Sequence, residues 1–138
     1  PTMIGQRVDD AVAALAGAVD RRRAGQAGQA AIETARWSLD LQLQHRPVVE
    51  IDLARFDLWC AQLLLDTANR DQAAVTGDLF AIDYIRDRIG PAIEAADLAR
   101  LNEQLEALNA AVGDADLAAV SDTAQLLRRT VGGIHPRT

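Results

Sequence analysis

Leu98, Leu101, Leu105, Leu108 and Val112 recur at spacings of three and four, and apolar residues keep a helical period through most of the chain. An α-helix turns about 100° per residue, so this spacing gathers apolar side chains on one stripe that has to be buried. No stretch alternates apolar and polar residues as a half-buried strand would. The chain is thereby confined to packing helix on helix.

Six helices are predicted, over residues 4–23, 26–44, 50–69, 71–89, 95–112 and 114–131. In the first, Ile4, Val8, Val12, Leu15 and Val19 make a clean apolar stripe. Pro47 stops the second, Gly90-Pro91 the fourth and Gly132-Gly133 the sixth. Residues 25–28, with two glycines, read as a linker. Short connections make consecutive helices antiparallel neighbours, with Asp71 and Asp114 as N-caps after tight turns. The expected architecture is all-α: an antiparallel up-and-down bundle of about six helices, built as three helical hairpins. Ala30-Ala31-Ile32, Ala73-Ala74-Val75 and Ala118-Ala119-Val120 echo one another, which leaves a stacked-hairpin solenoid open as the less favoured arrangement. The 138 residues suit one domain, with residues 1–3 and 134–138 expected to be flexible.

Charge narrows the partners. A net charge of −6 argues against nucleic acid and anionic lipid, both of which call for a positive surface. Arg21-Arg22-Arg23 is best explained as cations at the end of the first helix. No apolar run approaches the roughly 20 residues of a membrane span. Cys60 is alone in an apolar setting and reads as a buried thiol. The absence of lysine, with abundant Ala, Arg, Asp and Leu, points to a GC-rich bacterial source. The chain opens Pro-Thr-Met, which tilts the expectation toward an exported or cell-envelope protein, ahead of a cytoplasmic one.

Common catalytic signatures are missing: no phosphate-binding glycine loop, no HExxH, no GxSxG and no Glu-x-x-His. What stands out is polarity on faces expected to be buried. On residues 51–69, Asp52, Arg55, Gln62 and Asp66 form the expected wet stripe. Asp57 lies opposite it, among Leu53, Phe56, Cys60 and Leu64. Ser38, Gln42 and His45 lie opposite the wet stripe of the second helix, and Asp78 falls inside an apolar stripe of the fourth. Folding the hairpins back would let Ser38, Gln42, His45, Asp57 and Asp78 line one polar pocket between the second, third and fourth helices. A hydrogen-bonded core network is the simpler use of such groups. The chemical alternative is a ligand site, with His45, Asp57 and Asp78 suited to a divalent metal. Trp37 and Trp59, half buried at helix edges, are candidate interface residues, including for a homodimer.

The function expected from these residues is a non-enzymatic binding module that holds a small ligand or metal in the interior pocket. A purely structural or protein–protein interaction domain, such as an envelope lipoprotein or sensory module, is the first alternative. A small enzyme with an uncommon Asp/His site is the second.

Overall fold

The computed structural model describes residues 3–137. The described chain is all-helical: α1 (Met3–Gln42), α2 (Val48–Ala68), α3 (Gln72–Ile89), a single 3₁₀ turn (Gly90–Ala92), α4 (Ala95–Gly113) and α5 (Leu117–Gly132). Helices α2 to α5 form a ring in which α2 packs on both α3 and α5, and α4 packs on α5 and more lightly on α3. Their facing stripes interlock as one core that includes Leu53, Phe56, Cys60, Leu63, Ile82, Ile89, Leu101, Leu105, Leu108, Ala124 and Leu127. The C-terminal half of α1 adds a fifth segment, lying along α2.

Five α-helices stand where about six were expected, because the first two are one continuous helix of 40 residues. The glycines read as a linker lie within α1, on the side that meets α2. A Cβ on Gly28 would stand 3.7 Å from Leu65 Cδ1, and one on Gly25 would stand 4.0 Å from Asn69 Oδ1. Neither glycine has a positive φ, so the helix runs through both without a break.

Two connections share one geometry. Arg70 and Ala115 adopt left-handed φ values of 55° and 53°, and each is followed by an aspartate N-cap. Asp71 accepts from the amide of Ala74, and Asp116 accepts from the amide of Ala119, both at 3.1 Å. The second cap is therefore Asp116 and not Asp114, which instead ends α4 in an α-helical conformation. Two of the three sequence echoes follow from this shared turn, since Val75 and Val120 both enter the core just after it. The third, at Ala30-Ala31-Ile32, falls inside α1 and marks no turn.

The C-terminal tail is tied down. Ile134 is buried with the core, and Arg137 donates its backbone amide to Ala92 O at 2.8 Å and its guanidinium to Pro91 O. Of the terminal positions expected to be flexible, Pro1, Thr2 and Thr138 lie outside the described residues.

Candidate functional site

The five residues expected to line one pocket are divided among four places. Ser38 and Gln42 sit on the surface of α1, where Gln42 Nε2 donates to Ser38 Oγ at 3.1 Å. Gln42 Oε1 accepts from Arg46, which also reaches Glu50 at 3.4 Å. His45 lies exposed in the turn that follows α1. Asp57 faces α5, where Arg128 clasps its carboxylate through bonds of 2.8 and 3.2 Å. Asp78 is buried on α3. Among the described residues, no cluster of three or more His, Cys, Asp or Glu side chains could hold a metal ion. His45, Asp57 and Asp78 thus form no ligand set, because α5 takes the face of α2 that carries Asp57 while α1 covers a different one.

The interior polarity lies on the stripe expected to be wet. Asp52 and Gln62 are buried, since α1 and α3 close over them from either side. Two networks fill this seam. In one, Asp40 of α1 accepts from Arg55 at 2.8 Å, Arg55 reaches Asp52 at 3.3 Å, and Arg88 of α3 reaches the other oxygen of Asp52 at 3.0 Å. In the other, Gln29 of α1 and Gln62 of α2 exchange amide hydrogen bonds of 3.0 and 2.8 Å. Gln62 also donates to Asp66 at 3.1 Å. Between the networks, Arg36 stacks over Trp59, 4.6 Å from the ring centroid.

Asp66 and Asp78 meet at the end of the second network. Burial pushes the Asp78 carboxyl up to about 8, and a hydrogen bond with Asp66 and the negative charges of Asp66 and Asp71 push the same way, against Arg36. Asp78 Oδ2 is buried without a hydrogen-bond partner, and a carboxyl beside a second carboxylate resists ionisation.

A groove of about 300 Å³ opens above the seam, lined by Asp52, Arg55, Trp59, Tyr84, Arg88 and neighbouring α3 residues. A smaller cleft of about 150 Å³ adjoins it across Arg55 and Trp59, bounded by Arg36 and Asp40. Arg55 and Arg88 already neutralise Asp40 and Asp52, so these walls hold one another more than they await a charged guest. Cys60 is no nucleophile either. Burial, and then the charge of Asp57, pushes its thiol up to about 12 despite the opposing pull of Arg128.

A long unpacked surface lies elsewhere, on the N-terminal half of α1. Of residues 3–24, Gly17 is partly covered and all the others are exposed. Ile4, Val8, Val12, Leu15 and Val19 still share one face, with Ile4 76 %, Val12 60 % and Leu15 66 % exposed. At 100° per residue this stripe is rotated by roughly 120° from the Ile32 and Leu39 stripe that packs on α2. The two halves of one helix therefore address different surroundings. Trp37, Leu41, Phe80 and Tyr84 are exposed as well, so the Phe80–Tyr84 edge of α3 is not packed under another helix.

No family model, curated protein or solved structure matches this chain. Function has to be argued from these two features, the polar seam under its groove and the free half of α1. Sequence reasoning missed the seam, although a signal existed. The polar stripe of α2 is flanked by apolar residues on both sides, Leu53 and Phe56 on one and Leu58 and Leu65 on the other. A helix apolar on both flanks of a polar stripe is covered on both flanks, which encloses the stripe.

Proposed function

We propose that this protein is a non-enzymatic helical module that binds another protein through the N-terminal half of α1. The observation carrying this reading is the exposed stripe of Ile4, Val8, Val12, Leu15 and Val19. A helix of this length on its own is marginal in water, and an ordered apolar stripe gains its stability from a surface packed against it. Contiguous exposed apolar surface of this kind is what interaction sites present. The paired charges of the seam and the inert Cys60 thiol fit a module without covalent chemistry of its own.

A photo-crosslinking amino acid at Val12, compared with one at Asp10 on the opposite face, tests this in the cells that make the protein. Adducts from position 12 and none from position 10 are expected. Equal labelling from both, or none from position 12, would overturn the reading.

A second reading keeps the small-ligand expectation, moved to the groove over Trp59. Its aromatic walls, Trp59 and Tyr84, and its volume near the lower end for small-molecule sites support it. A flat planar ligand quenching Trp59 fluorescence, with the response lost in Tyr84→Ala, would favour it over a protein partner.

A further inference from the structure

We propose that Arg36 is a pH-driven toggle: it lies over Trp59 while the Asp66–Asp78 pair holds a proton, and swings onto that pair when the proton leaves. The toggle needs no ligand and no partner, so it stands apart from both functional readings. Two groups in the seam lack their natural partners. Arg55 and Arg88 are paired with Asp40 and Asp52, whereas Arg36 makes no ion pair among the described residues and rests on an aromatic face. Asp78 is 4 % exposed, and its Oδ2 has no hydrogen-bond partner. Arg36 is near enough for its charge to favour the ionised form of Asp78, against the larger effects of burial and Asp66.

The register of the helices brings these two groups within reach of each other. Gln29 of α1 meets Gln62 of α2, and Asp40 meets Arg55, so the two helices run in opposite directions and Arg36 stands between those levels. Gln62 also donates to Asp66, which sets the carboxyl pair at the Gln62 level. Side chains on a helix lean toward its N-terminus. For Arg36 that is the direction of Gln29, and so of the carboxyl pair. Trp59 and Gln62 are three residues apart, about 4.5 Å of helix rise. Rotation about the side-chain bonds of an arginine covers such a distance without moving the helix.

The proton decides which seat is better. With one proton on the pair, its single charge already accepts from Gln62, and the indole face suffices for the guanidinium. Deprotonation leaves two adjacent carboxylates in a place poor in water. A guanidinium, charged throughout, can fork between their oxygens and becomes the stronger partner. Of the other charges nearby, Asp71 at the head of α3 is exposed and caps the Ala74 amide, and Glu33 of α1 is exposed and accepts from Gln29. When Arg36 leaves, the cleft of about 150 Å³ that it bounds with Asp40, Arg55 and Trp59 offers its indole face to solvent.

Trp59 fluorescence reads the toggle. Trp37→Phe removes the other tryptophan, which is exposed and outside the core. In that protein, acrylamide quenching of Trp59 should rise through one transition centred near pH 8 as pH is raised from near 6 to near 9. Asp78→Asn should abolish the transition and keep the low-pH value. Arg36→Ala should be strongly quenched at every pH, with no transition. Asp66→Asn removes a neighbour that opposes ionisation, so it should move the midpoint to lower pH. Hydrogen-exchange protection across residues 25–42 should be equal on both sides of the transition, because the side chain moves and the helix does not. No transition in this range, one that survives Arg36→Ala or Asp78→Asn, or a midpoint indifferent to Asp66→Asn would overturn the proposal. Protection lost in step with the quenching would also overturn it, by showing that α1 lifts off α2 as a whole.

Discussion

Arg128 of α5 holds Asp57 of α2 through two hydrogen bonds, joining positions 71 residues apart in sequence. The pair closes the ring of helices where its first and last members meet. Both side chains keep roughly 40 % of their surface exposed, so water shares the interaction.

That exposure sets the size of the first prediction. Arg128→Gln and Asp57→Asn should each lower stability by about 0.5–1 kcal/mol, with the loss shrinking in high salt. A double-mutant cycle by urea denaturation at low and high salt measures it. A loss of several kcal/mol, unchanged by salt, would show instead that the pair is shut away from solvent.

Asp78 gives a pH dependence with a definite sign. Its carboxyl ionises near 3.8 when free and is held protonated up to about 8 in the folded protein. Between those values the folded chain binds a proton that the unfolded chain has released, so stability from this group falls as pH rises through the window. The groups around it are Asp66 on α2, Asp71 at the start of α3 and Arg36 on α1. Asn at this position can donate to Asp66 without a titrating proton. Asp78→Asn should therefore gain on the parent as pH rises from 5 to 9, by a few kcal/mol at the ~1.4 kcal/mol per pH unit that linkage gives below the folded value. Urea melts at the two pH values decide; an identical difference at both would place the Asp78 titration outside this range.

Gly28 tests the continuity of α1. Alanine there meets Leu65 at an ordinary contact distance and favours the helical backbone. Gly28→Ala should raise stability by up to about 1 kcal/mol and slow hydrogen exchange across residues 25–42. No change in exchange would mean that this stretch is not held as helix in solution.

Much of the fold was legible in local pattern. The heptad-like run from Leu98 to Val112 and the stop at Gly90-Pro91 lie where the spacing put them, as does the Asp71 cap. Each depends on period or backbone chemistry within a few residues. Gly25 and Gly28 were misread because a glycine that lets a chain bend and one carried within a packed helix look alike in sequence; only the packing on Leu65 and Asn69 separates them. Asp57 was misread for a related reason. Its angle on α2 was right, but the element facing that angle is α5, whose Arg128 makes the position ionic. Asp52 and Gln62 were assigned to water because a polar stripe on an isolated helix belongs there, and α1 covers it.

The all-helical character, the caps and stops and the apolar stripe of residues 4–19 were determined by the sequence itself, because helical period and turn chemistry act over a few residues. Tertiary structure alone decided which stripe each helix covers and which it leaves bare. It joined Gln29 to Gln62 and Arg88 to Asp52, and it left Ile4, Val8, Val12, Leu15 and Val19 without cover. An amphipathic helix specifies that one face must be buried, and the identity of the burying surface is a property of the whole packed assembly.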